Sequence, residues 1–348
     1  MKASLVARPW AGLDIGAYSI KLLALQPGVG GSRFWASEVP LPRQSSELDV
    51  LAADPLTRAI DRAFEAAGLS ARGVRGISVG VSGPDVMVKQ IALPLMDESE
   101  VAGALRFEAR KHLPFDPATL VLDYQILGRY PGEKKVEVLL ASVSSQRLER
   151  TLAPFHTLGI EPSIVDAAPL ALTNALSRGV AHEGEARLLL DIGLTGSWLT
   201  LYQRGAPYFA RRLDWGGASV TSAIARALMV PDEEAEEWKL EAGSDSPSLR
   251  IRPDAPEMLA VRSSVGLLAE EIRRSFAFYR TIGKLPDPLT LWVSGGTARL
   301  PGLAGQLSEG LGVPVLRFDP FEGLGNAANA PIGGPQFAQA YGLALRAA

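Results

Sequence analysis

The chain has 348 residues, enough for roughly two domains, and its 47% apolar and 21% charged content excludes wholesale disorder. A net charge of −3 argues against a protein whose main task is gripping nucleic acid, and the absence of cysteine excludes disulfide scaffolds, thiolate metal sites and a cysteine nucleophile. His112, His156 and His182 are too scattered for a histidine zinc site, and no run approaches the ~18 apolar residues of a membrane span. The N-terminus lacks the apolar core of a signal peptide, so the chain reads as cytoplasmic.

In chain order, Gly12–Leu25 (GLDIGAYSIKLLAL) reads as a strand ending in Asp-Ile-Gly, a small turn and a second strand. Arg33–Leu41 is strand-like, and Asp54–Ala67 is an amphipathic helix with Leu56, Ile60, Ala63 and Phe64 on one face, stopped by Gly68. Gly76–Gly83 is a strand entering a glycine turn. The stretch 87–159 then reads as a βαββα insertion. Its parts are a strand over Val86–Leu93, a helix capped near Asp97 and ended by Pro114, strands over Leu120–Leu127 and Lys135–Ser142, and a helix over Arg147–Leu158.

The first pattern then recurs. Leu190–Tyr202 (LDIGLTGSWLTLY) repeats the strand, Asp-Ile-Gly turn and strand, with Asp191 177 positions after Asp14. A strand over Ala206–Leu213, a helix over Ala218–Leu228, an acidic helix over Asp232–Glu241 and a strand at Thr290 leading into Gly295-Gly296 follow. The stretch 243–256 reads as a loop. The reading is an α/β fold with two mixed-sheet domains. The first domain covers 1–86, closed by 160–185; the insertion covers 87–159; the second domain covers 186–348.

Each Asp-x-Gly turn can direct backbone N–H groups at phosphate oxygens, while the aspartate can hold Mg²⁺ through waters and Lys21 offers a point charge. A lone turn of this kind is more often just a strand end; two facing one cleft would grip a polyphosphate from both sides. Gly16, Gly193, Gly196 and Ser197 belong to these turns. Gly216-Gly217 and Gly295-Gly296-Thr297 add bare backbone for close approach of a nucleotide. Glu236 and Lys239, at i and i+3, could bracket a ribose or adenine, the plainer alternative being a solvated surface pair.

The order of these motifs resembles the actin-like ATPase superfamily, which includes chaperone ATPases, sugar kinases and the cell-division protein FtsA. In that resemblance Asp14-Ile-Gly16 with Lys21 matches the first phosphate motif, Asp191-Ile-Gly193 through Ser197 the second, and Val293–Thr297 the adenosine motif. Gly216-Gly217, Glu236 and Lys239 match nucleotide contacts between the last two. Within the superfamily the chain is most similar to the PilM family of type IV pilus assembly proteins. Ala104–Phe115 (ALRFEARKHLPF), Val121–Gly128, Val136–Ala141, Ile160–Asp166 and Pro335–Arg346 carry that likeness.

The resemblance implies a duplicated actin-like fold, ATP with Mg²⁺ in the central cleft, and a scaffold among other pilus-assembly proteins. It also implies capture of the N-terminal cytoplasmic peptide of a PilN-like inner-membrane partner, in a groove beside the insertion. The protein would then be peripheral to the inner membrane through that partner. Phe107, Leu113 and Phe115 are candidates to line the groove; the alternative places them in the insertion's own core. The chain ends soon after its closing helix, so an amphipathic anchor of the FtsA kind is not expected. Chaperone ATPases place a Glu-Pro pair after the insertion, and this chain has Ala168-Pro169 there, with Asp166 two residues early. The expectation is therefore nucleotide binding with slow or no hydrolysis. The actin-like component of type II secretion and a small-molecule kinase of the same superfamily are the competing readings.

Overall fold

The computed structural model describes residues 8–27, 32–42, 53–113, 116–179, 187–203, 206–242, 252, 254–283, 290–324 and 334–346. The expected loop over 243–256 lies mostly outside them, as does Phe115. Two sheets carry the fold. The first has the order β3-β2-β1-β4-β8, with β1 Trp10–Ile15, β2 Ser19–Gln26, β3 Arg33–Pro40, β4 Gly76–Val81 and β8 Ile164–Ala167. β1 is antiparallel to β2 and parallel to β4. The second, which also takes in β5 Met87–Pro94, β6 Leu120–Tyr130 and β7 Lys135–Ser144, runs β13-β12-β9-β10-β11-β5-β7-β6. Here β9 is Arg187–Ile192, β10 Ser197–Gln203, β11 Ala206–Leu213, β12 Thr290–Ser294 and β13 Val315–Arg317. The order β11-β10-β9-β12-β13 repeats β3-β2-β1-β4-β8 strand for strand, including which pairs are parallel, so the fold is a duplicated α/β architecture.

Apolar faces explain where the helices sit. Helix α1 (Ala53–Ala66) buries Leu56, Ile60, Ala63 and Phe64 against Leu13, Ile20 and Leu22 of the first sheet. It ends at Gly68, whose φ of +69° suits glycine at a helix stop. The opposite face of that sheet is covered by α4 (Ala168–Gly179) and by the closing helix α9 (Ala338–Ala344), which returns from the far end of the chain. In the second half α5 (Gly217–Leu228), α7 (Pro256–Gly283) and α8 (Leu303–Leu311) cover the sheet around a core of Leu190, Ile192, Leu199 and Val293. Between them in sequence, α6 (Asp232–Ala242) follows α5.

The insertion has the expected βαββα order: β5 Met87–Pro94, α2 Glu98–His112, β6 Leu120–Tyr130, β7 Lys135–Ser144 and α3 Ser145–Thr157. Glu100 caps α2 by accepting the Asp97 N–H at 2.9 Å. Val101, Leu105 and Leu113 pack on Val136, Val138 and Leu140 as the subdomain's own core. Two of its elements also reach beyond that core. Strand β5 joins the second sheet through the pairs Lys89↔Phe209 and Val88↔Ala210. Helix α3 instead sends Phe155, fully buried, into the core of the first sheet. The insertion is thus attached to both halves.

Candidate functional site

The two Asp-Ile-Gly turns close alike. Gly16 N–H donates to the Ser19 carbonyl at 3.1 Å, and Gly193 N–H donates to the Gly196 carbonyl at 3.0 Å. Both sit at the end of an antiparallel hairpin: β1–β2 pairs Asp14 with Lys21, and β9–β10 pairs Asp191 with Trp198. The second turn is braced from behind. Gly217 and Ala218, the first residues of α5, donate N–H groups to the carbonyls of Gly193 and Leu194, each at 2.9 Å. Gly216 must be bare, because a Cβ there would stand 2.7 Å from the Gly196 nitrogen and 2.8 Å from the Gly193 carbonyl oxygen. The Ser197 hydroxyl is fully buried and donates to the Trp215 carbonyl at 2.6 Å.

Both turns open onto one cavity of about 570 Å³, within the range of small-molecule sites. Asp14 and Asp191 both line it; Asp14 is buried and Asp191 half-buried. Asp14 accepts the Gln339 Nε2–H at 2.9 Å and stands 3.7 Å from Lys21 Nζ. Its carboxyl is held above the ordinary range, chiefly by burial, which outweighs the attraction of Lys21. Asp191 accepts the Ser294 hydroxyl at 2.8 Å, and burial pushes its carboxyl up to about 6, with the nearby Asp14 charge adding to the rise. Two desolvated carboxylates that repel each other across a cavity form a place where a divalent cation would be welcome. Among the described residues no group of three metal-ligating side chains occurs, so such a cation would complete its shell with water or ligand oxygens, as Mg²⁺ does.

The turn that follows β12 and the acidic helix α6 complete one wall. Gly295 has φ +88°, open to glycine and strained for other residues, and Thr297 Oγ1 donates to the Gly193 carbonyl at 3.1 Å. Gly295, Gly296 and Thr297 all line the cavity, and a short 3-10 turn over Gly296–Arg299 follows the strand. Glu236 and Lys239 are buried and cavity-lining, not the solvated pair that their spacing alone allowed. Lys239 Nζ lies 2.6 Å from Glu236 Oε2 and donates to the Gly217 carbonyl at 3.0 Å and to Thr221 Oγ1 at 2.8 Å. Burying this pair requires the extra hydrogen bonds that it makes.

Of the expected nucleotide residues, Asp14, Gly16, Lys21, Asp191, Gly193 and Gly196 come together on the cavity wall. Gly216, Gly217 and Ser197 lie behind the second turn and support it without lining the cavity. Gln339 on α9 and Arg212 line the cavity and have no role in the motif reading; their approach depends on strand register and on the return of the C-terminus. Ala168 is fully buried at the start of α4, and Asp166 does not line the cavity, its Oδ2 lying 3.2 Å from Arg346 Nε. Of the candidate peptide-groove residues, Phe107 is 75% exposed on α2, whereas Leu113 belongs to the insertion's core.

Comparison with solved structures agrees with this arrangement. The chain is similar to the PilM–PilN type IV pilus biogenesis complex, at 28% identity over 99% of both chains with a TM-score of 0.81. It shares the fold of the ethanolamine utilization protein EutJ from Carboxydothermus hydrogenoformans, 16% identical over 97% of this chain and 89% of that one, with a TM-score of 0.57. An archaeal actin homologue is 14% identical over 97% of this chain and 98% of the other, with a TM-score of 0.50. The family model described as type IV pilus assembly protein PilM matches residues 12–348, and the chain belongs to that family.

Proposed function

We propose that the protein is a nucleotide-binding scaffold of type IV pilus assembly, holding ATP with Mg²⁺ in its central cavity. The observation that carries this reading is the convergence of Asp14 and Asp191, on equivalent hairpins of a duplicated fold, upon one cavity. Asp14 and Asp191 would hold the cation, through waters in part; a bound Mg²⁺ would supply positive charge that neutralises the polyphosphate and the two carboxylates together. The turn N–H groups around Gly16 and Gly193 and the Lys21 ammonium would meet phosphate oxygens. The bare Gly295-Gly296 backbone and the Glu236–Lys239 pair would sit against the nucleoside. The buried Ala168 places no carboxylate at the start of α4 to orient water, which supports slow or absent hydrolysis.

The second part of the reading is a partner. The similar solved complex pairs its PilM with PilN, and for this chain we infer capture of the N-terminal cytoplasmic peptide of a PilN-like inner-membrane protein beside the insertion. Phe107, exposed on α2, offers an apolar side chain to such a segment, whereas Leu113 is already used in the core. This arrangement would tie the protein to the membrane through its partner; no helix among the described residues is long and apolar enough to cross one.

Titration with labelled ATP and Mg²⁺ tests the nucleotide part. Asp14→Ala and Asp191→Ala are each expected to weaken binding by about tenfold or more, and unaltered affinity in both would overturn the reading. Turnover on the order of 1 per second or faster would overturn slow hydrolysis. A PilN-type peptide is expected to protect segment 86–127 from hydrogen exchange; unchanged exchange there counts against the groove.

A further inference from the structure

The two hairpins match in backbone but not in charge. On the first sheet, cross-strand register sets Glu38, Lys21 and Asp14 side by side on β3, β2 and β1. On the second it sets Arg212, Trp198 and Asp191 on β11, β10 and β9. Directly paired residues of an antiparallel ladder share one face, and in both ladders all three residues line the cavity. The first turn therefore has its cation one strand from its aspartate. The second has an indole at that place, with its cation one strand further out.

That cation is built into the second turn. Arg212 Nη2 donates to the Thr195 carbonyl at 3.2 Å, and Nη1 pairs with the Asp214 carboxylate. The guanidinium lies where a side chain on Gly196 would have to go, its Cζ 2.7 Å from the position of a Cβ there. The arginine side chain is only 21% exposed, whereas that of Asp214 is 91% exposed. The pairing thus holds the guanidinium at the rim without drawing it deeper into the protein.

Sheet order gives the cavity a direction. The adenosine-motif turn leaves β12, and passing from β12 through β9 and β10 to β11 crosses three strand spacings, about 14 Å in all. Arg212 therefore sits on the strand three places from the one that carries the nucleoside turn. Helix α3 of the insertion adds Arg147 and Arg150 to the cavity lining. Among the described residues the lining has six basic side chains and four carboxylates, and two of the arginines, Arg147 and Arg212, also pair with Asp85 and Asp214 outside it.

We propose that Arg212 contacts the terminal phosphate of a nucleoside triphosphate and so distinguishes the triphosphate from the diphosphate; this rests on the nucleotide reading given above. An arginine fork can keep one N–H on Thr195 while presenting others to phosphate oxygens. A diphosphate, one phosphate shorter, would still meet the turn N–H groups and Lys21 but would lack the phosphate that Arg212 meets.

The test is equilibrium titration of the full chain with Mg-ATP and Mg-ADP, comparing the unaltered protein with Arg212→Gln, each confirmed as folded by a cooperative thermal melt. The substitution is expected to weaken ATP by about tenfold or more and ADP by less than about threefold. Equal weakening of both, or no change in their ratio, overturns the proposal. If Arg212→Gln does not fold, Arg212→Lys keeps the charge but loses the fork. Its expected result is a selective loss for ATP of about threefold or more, and an unchanged ratio is again fatal. Failure of the unaltered protein to bind either nucleotide would overturn the nucleotide reading itself. Binding of both with an insensitive ratio removes only the role of Arg212.

Discussion

At the scale of single residues, burial of charge is the dominant effect. The Asp191 carboxyl is raised to about 6 in the folded chain from an ordinary 3.8. The native state therefore holds a proton between these values that the unfolded chain releases. Stability of the ligand-free protein should fall as pH rises from about 4 to about 6, by on the order of 2–3 kcal/mol from this group. Urea unfolding at pH 5 and pH 7 checks it, and Asp191→Asn is expected to flatten that part of the profile. Mg-nucleotide affinity should move the other way, weakening below pH 6 as the carboxylate that the cation needs is protonated. Gly216 makes a second case at this scale. Its φ of −157° is ordinary extended backbone, so the constraint is purely one of space: a methyl group meets the backbone of Leu194, Gly193 and Gly196. Gly216→Ala should cost about 1–3 kcal/mol in chemical unfolding and should displace the second turn, weakening nucleotide binding although Gly216 does not line the cavity. Both aspartates were legible in the sequence because Asp-Ile-Gly recurs after an apolar strand. Gln339 was not, because 325 positions separate it from the Asp14 carboxylate that it holds.

At the scale of elements, α3 shows what periodicity can and cannot say. Its existence follows from helical spacing and from Ser144, whose hydroxyl accepts the Arg147 N–H at 3.2 Å as an N-cap. Its allegiance does not follow. The helix closes the insertion in sequence, yet Phe155 fills the first-sheet core while Arg147 and Arg150 line the cavity. Phe155→Ala is expected to cost about 3–5 kcal/mol in urea unfolding and to loosen the contact between α3 and α1. A loss below about 1 kcal/mol would show that the ring is not the anchor described here. Helix α7 is the opposite case. Its buried stripe Val261, Val265, Leu268, Ile272 and Phe276 follows helical spacing, so its 28 residues were readable, although no motif drew notice to them.

At the scale of the whole molecule, the cavity lies between two equivalent hairpins, with the insertion bonded to one half and packed into the core of the other. A ligand gripped by both turns must stabilise both halves together. Mg-ATP at about 100 times its dissociation constant should add about 2.7 kcal/mol to unfolding. Hydrogen exchange is expected to slow in 14–21 and 191–198 alike; protection confined to one turn would mean that the halves do not share the ligand.

The order of apolar runs, the recurring Asp-Ile-Gly turns and the glycine punctuation were local properties, and from them the sequence by itself determined a duplicated α/β chain with an insertion. Membership of the strands in sheets was not local. That β5 extends the second sheet, that α9 returns to the first, and that Arg212 replaces a cation one strand away all depend on pairing between segments far apart in the chain. Periodicity says which face of an element is buried. What that face is buried against is decided only when the whole chain packs, since many partners offer similar apolar area and one arrangement satisfies them all at once.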